Sequence, residues 1–99
     1  MTYFAEAGPR SKKTAGLIKV GVSVDPAERC RHLGVRVIGV TAIPEAPIRQ
    51  ALYPFMAAPD DLAERGLPHP REWYYDREAV RRFVAWAIRF RPIEEAEAA

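Results

Sequence analysis

One cysteine, Cys30, stands alone in this chain of 99 residues, so no internal disulfide can staple it. Long apolar runs are missing too; the longest are a few residues, far short of the ~20 a spanning helix needs. The opening Met1-Thr2-Tyr3-Phe4-Ala5-Glu6 has no basic stretch leading into an apolar core, so no signal peptide is read. The expected compartment is therefore the reducing cytoplasm, with no membrane partner. There is no GxxxxGK[ST] loop, no GxGxxG and no GxSxG elbow. Cys30 and His32 have no second Cys pair, which argues against zinc and for a buried thiol beside an exposed imidazole.

What is present is an ordinary globular balance, 48% apolar and 28% charged, enough for one modest core. Residues 1–92 are expected to form a single domain and the acidic stretch 93–99 a frayed tail. Charge is unevenly spread. Residues 1–36 carry seven Lys/Arg against three acids, residues 37–99 eight against ten. The basic third, with Arg10, Lys12, Lys13, Lys19, Arg29 and Arg31, suits either a polyanion or plain solvation.

Periodicity predicts strands over 2–7, 17–23 and 35–43. In the second, Ile18, Val20 and Val22 alternate toward a core while Lys19, Gly21 and Ser23 point the other way. Asp25-Pro26-Ala27-Glu28 reads as a helix start, with Asp25 as cap and Gly34 as terminator. Cys30 and Leu33 are expected on its core face. Pro47 in a first turn, then Ile48, Ala51, Leu52 and Phe55, predict a second helix that Pro54 cuts short. Residues 57–71 read as loop with one or two helical turns, residues 72–75 as a short extended piece. Asp76 is expected to cap a last helix, 77–91, which Pro92 stops. The fold class is α+β: a small sheet of three antiparallel strands flanked by about three helices.

On this frame Lys19, Gly21 and Ser23 share a strand face just before a capped helix, and Arg29 follows one turn in. Tyr3 can pair across the sheet onto the same face. A bare glycine, a helix N-terminus and a guanidinium fork together suit a phosphate. The plainer alternative is two surface charges and a core-edge aromatic.

Tyr3-Phe4, Ile18-Lys19-Val20-Gly21-Val22-Ser23, Asp25-Pro26-Ala27-Glu28-Arg29 and Leu33 together resemble the front half of the GIY-YIG nuclease superfamily. The nearest branch is that of the T5orf172-like and Mug113-like domains. Arg71-Glu72-Trp73-Tyr74 is similar to that branch's Gly-Glu-Trp-Phe segment, with Arg for Gly. The resemblance implies hydrolysis of DNA phosphodiesters with a divalent metal, Mg²⁺ or Mn²⁺, on double-stranded DNA. It implies catalytic roles for Tyr3, Lys19 and Arg29, and Gly21 matches the second motif's glycine. Ser23, Lys12, Lys13 and Arg31 are the expected further nucleic-acid contacts. The sequence departs from the pattern in the second helix. Where the branch has E-x-x-L-H, this chain has Arg49-Gln50-Ala51-Leu52-Tyr53, so the metal ligand would have to be Glu45 or Glu72. Three functions follow as expectations: a nuclease, a degenerate module that binds nucleic acid or protein without cutting, and a protein-interaction domain using Trp73, Tyr74 and Tyr75. A protein partner or homodimer fits any of them.

Overall fold

The computed structural model describes residues 1–8, 11–67 and 70–91. Arg10, Pro92 and the tail 93–99 lie outside them. The elements run β1 (Thr2–Ala7), β2 (Leu17–Val22), α1 (Pro26–Leu33), β3 (Val35–Thr41), α2 (Glu45–Leu52), a 3-10 turn (Tyr53–Phe55), α3 (Pro59–Arg65), a second 3-10 turn (Pro70–Glu72), β4 (Trp73–Tyr75) and α4 (Glu78–Ala87). The fold is α+β, as expected. The sheet has four strands rather than three, in the order β3-β1-β2-β4, every pair antiparallel. The extended piece at 73–75 is the addition: it pairs with β2 through Leu17–Tyr75, Ile18–Tyr74 and Lys19–Trp73. Against β1, β3 carries a bulge at Ile38, since Phe4 pairs with Gly39 and Ala5 with Val37.

Both faces of the sheet are covered. Phe4, Ile18, Val20 and Tyr74 pack under Ile48 and Leu52 of α2 and Val80, Val84 and Ala87 of α4. On the opposite face Tyr3, Ala5, Leu17 and Trp73 pack with Cys30 of α1, Leu62 of α3 and Ala57. This double burial has consequences for several side chains. Lys19, expected to point away from the core, is only 3% exposed, because α1 and α3 turn its face into a second core. Val22, expected inward, is more than half exposed at the strand's end, and Leu33 stands partly in solvent where Cys30 alone is buried. Ala51 is exposed.

Local signals set the ends of α1. The Asp25 carboxylate accepts from the Glu28 amide at 3.2 Å, Pro26 opens the helix, and Gly34 closes it at φ 71°. The last helix begins later and ends earlier than the periodicity suggests. Arg77 occupies its cap position, and Asp76 instead holds Arg81 through two bonds, 2.8 Å to Nε and 2.7 Å to Nη2. Two carboxylate–guanidinium bonds outcompete one cap bond. α2 starts at Glu45, two residues before Pro47. Among the described residues no helix is long and apolar enough to cross a membrane.

Candidate nucleic-acid interface

The register of β1 and β2 places Tyr3 opposite Gly21 and Ala5 opposite Lys19. Tyr3, Gly21 and Lys19 therefore share one face, as the strand alternation predicts. β4 adds Trp73 directly beside Lys19. The Lys19 ammonium lies 5.2 Å from the Trp73 ring centroid and 5.9 Å from that of Tyr3. It donates to Glu72 Oε2 at 2.8 Å. A lysine buried this deeply needs a counter-charge, and Glu72, itself 31% exposed, supplies it.

Tyr3 is 1% exposed. Burial first, then the neighbouring Cys30 and Glu72, push its phenol up to about 12, against a smaller opposing pull from Arg29. Burial likewise pushes the Cys30 thiol up, with Lys19, Tyr3 and Arg29 opposing. At neutral pH Tyr3 is thus a neutral hydrogen-bond donor rather than a phenolate base, and Cys30 a protonated thiol. Arg29 shares the electrostatic neighbourhood of Tyr3 from the exposed side of α1. The sequence pointed to Tyr3, Lys19, Gly21 and Arg29, and the fold brings the first three together with Arg29 at their edge. It did not point to Cys30 or Trp73 as their cover. Cys30 follows Arg29 directly, but only α1's packing angle brings its thiol to Tyr3.

The N-terminus of α1 is already occupied by its own acids. Asp25 takes the Glu28 amide, and Ser23 Oγ accepts from the Asp25 amide at 3.0 Å. The shallow hollow there, about 270 Å³, is lined by Asp25 and Glu28 as well as Ser23, Arg29 and His32. Two carboxylates make it a poor place for a phosphate.

The other end of α1 differs. Lys12, Lys13, Arg31 and His32 line a groove of about 490 Å³ with Ser11 and Gly34; among the described residues no acid lines it, and Glu28 stands 3.8 Å from His32 on the helix surface beside it. Residues 13–15 are tied to α3: Arg65 donates to the Lys13 and Ala15 carbonyls while its other guanidinium edge holds Asp61. Ser11 and Thr14 share a hydrogen bond of 2.7 Å. Among the described residues, the side chains of Lys12, Lys13, Arg29 and Arg31 make no ion pair. Arg36, by contrast, is spent on Glu6 at 2.7 Å.

The two candidate metal ligands sit apart and each has a cation. Glu72 is bound to Lys19 on the α1 face. Glu45, the first residue of α2 on the opposite face, is bound to Arg49 at 2.7 Å. Among the described residues no group of three or more His, Cys, Asp or Glu side chains comes together. A divalent cation wants oxygen ligands free of competing positive charge, and as paired here neither carboxylate fits that need. Trp73 and Tyr74 are buried in the two cores and Tyr75 is half-buried, so the aromatic run does not form an exposed patch.

No model of a known protein family, no curated protein and no solved structure matches this chain.

Proposed function

We propose that this chain is a GIY-YIG-like nucleic-acid-binding domain that holds duplex DNA by its phosphates and does not cut it. The observation that carries the proposal is the groove lined by Lys12, Lys13, Arg31 and His32, in which Lys12, Lys13 and Arg31 pair with no carboxylate among the described residues, beside carbonyls that Arg65 ties to α3. Cations already positioned and not committed to protein carboxylates are available to displace counterions from a phosphate backbone. Against cleavage stands the Lys19–Glu72 pair: freeing Glu72 for another role would strand a buried ammonium.

A second proposal, hydrolysis with Mg²⁺ or Mn²⁺, draws support from one specific observation. A carboxylate, Glu72, does stand against Lys19 and Tyr3, with Arg29 at the edge. Binding to a labelled duplex, followed by anisotropy across a salt series, tests the first proposal. Affinity should fall linearly on a log–log plot. Lys12→Ala, Lys13→Ala and Arg31→Ala should each flatten the slope by about 0.9 per lost phosphate contact. No binding at low salt would sink it. Plasmid nicking with Mg²⁺ or Mn²⁺, lost in Glu72→Gln and Arg29→Lys, would replace binding with hydrolysis.

A further inference from the structure

A further cavity opens on the α2 side of the sheet, away from the two hollows at α1. It measures about 430 Å³, within the ~300–1,000 Å³ of small-molecule sites, and Arg49, Gln50, Tyr53, Met56, Arg71 and Tyr74 line it. Arg49, Tyr53 and Arg71, three of the positions at which the chain departs from the pattern it resembles, meet here.

The polar inventory of this cavity is incomplete. Arg49 donates through Nη1 to the Arg71 carbonyl at 2.8 Å and through Nη2 to Glu45 at 2.7 Å. Its Nε is buried and, among the described residues, has no acceptor, an uncommon state for a native donor. The Arg71 side chain is exposed and makes no ion pair among the described residues. Both guanidiniums act on the buried Tyr74 hydroxyl, which itself donates to the Arg71 carbonyl at 2.9 Å. Glu45 offsets one of the two positive charges, which leaves the cavity net positive. Tyr53, 66% exposed, is among the residues that line it. Gln50 adds an amide that can both donate and accept.

A lone inorganic anion would leave Tyr53 unused, and an uncharged aromatic would leave Arg71 unused. A ligand that uses all of them carries a phosphate and a planar ring with polar edges. We propose that this cavity binds one nucleoside 5′-phosphate unit, its phosphate on Arg71, its base stacked on Tyr53 with Gln50 at the base edge. Base–aromatic stacking of this kind tolerates any base. The site does not depend on the groove of Lys12, Lys13 and Arg31.

Adenosine 5′-monophosphate, adenosine and inorganic phosphate are the probes, followed by two-dimensional NMR of the full chain. The monophosphate should shift the Arg71 Nε–H and the Tyr53 amide and bind at least about tenfold tighter than either fragment. Tyr53→Phe should retain binding, whereas Tyr53→Ala should weaken it about 5- to 150-fold. Arg71→Gln should reduce the monophosphate to the affinity of adenosine. A combined Lys12→Ala, Lys13→Ala, Arg31→Ala variant should bind it unchanged, so failure of the groove and failure of the cavity are told apart. Binding of a 5′-phosphorylated oligonucleotide, but not its unphosphorylated form, would assign the site to a strand end; binding of the monophosphate alone would assign it to free nucleotide. Absence of shifts at millimolar monophosphate in a folded sample overturns the proposal, as does inorganic phosphate binding equally well.

Discussion

Gly21 is glycine because the Tyr3 ring lies on it. A Cβ at position 21 would stand 2.5 Å from both Cζ and Oη of Tyr3 and 2.8 Å from Cε1. Tyr3 is 1% exposed and hemmed in by the core of the α1 face, so the ring has nowhere to retreat. Gly21→Ala should destabilise the fold by about 1–3 kcal/mol, the usual cost of overpacking a core. Tyr3→Phe should not relieve it, because Cζ is as close as the hydroxyl. Urea midpoints of the single and double variants measure this directly. A midpoint for Gly21→Ala equal to that of the parent would show that the ring does not rest there.

The Lys19–Glu72 pair yields a second expectation. Glu72→Gln leaves a buried ammonium without its counter-charge, which costs ~3–5 kcal/mol for a fully buried pair. Glu72 is 31% exposed, so water can partly replace it, and the lower end of that range is expected. Lys19→Met combined with Glu72→Gln removes the stranded charge and should recover most of the loss. If the double variant unfolds as easily as Glu72→Gln alone, Lys19 is not the reason.

Asp25 gives a smaller effect. Its carboxylate caps α1 through the Glu28 amide at 3.2 Å, and Asp25→Ala should cost about 0.5–2 kcal/mol. Asp25→Asn or Ser, which keep an acceptor, should cost less. An equal loss in all three would mean the cap bond contributes nothing.

Acid stability should depend on Arg81. Its guanidinium bonds Glu6 Oε2 at 2.7 Å and Asp76 at 2.7 and 2.8 Å, while Arg36 holds the other oxygen of Glu6 at 2.7 Å. The bond to Arg81 comes first among the causes that hold both carboxyls below their usual values of 4.5 and 3.8. A carboxyl depressed in the folded state contributes stability above its unfolded value and loses it as pH falls through the folded one. Stability should therefore drop progressively below about pH 4.5, and Arg81→Met should flatten that drop. Urea midpoints between pH 6 and 2.5 compare the two. Parallel curves would place the acid sensitivity elsewhere.

Local chemistry is what the sequence states by itself. The Asp25-Pro26 helix start and Gly34 as terminator depend on neighbours a few residues apart, and both are found. The shared face of Tyr3, Lys19 and Gly21 follows once β1 and β2 pair in register. The inward–outward division of residues 17–23 does not hold, because Leu17 to Gly21 are all buried and Val22 is exposed. Cys30 is buried and His32 exposed, as their types suggest. Most relations between distant segments are not legible in the chain. Three residues, Trp73–Tyr75, are too few to show an alternation, so the fourth strand exists only through its pairing with Leu17–Lys19. Lys19 looks solvent-facing in a two-residue pattern, and only the packing of α1 and α3 on that face buries it. Its partner lies 53 residues away, and no spacing rule connects two groups whose distance is set by strand order. Arg49, Tyr53 and Arg71 likewise read as unrelated departures along the chain; the turn after α2 and the edge strand β4 bring them to one cavity. Periodicity and caps are short-range and written residue by residue. Burial, charge pairing and cavities come from contacts between distant segments, and those depend on how two helical layers close over one sheet.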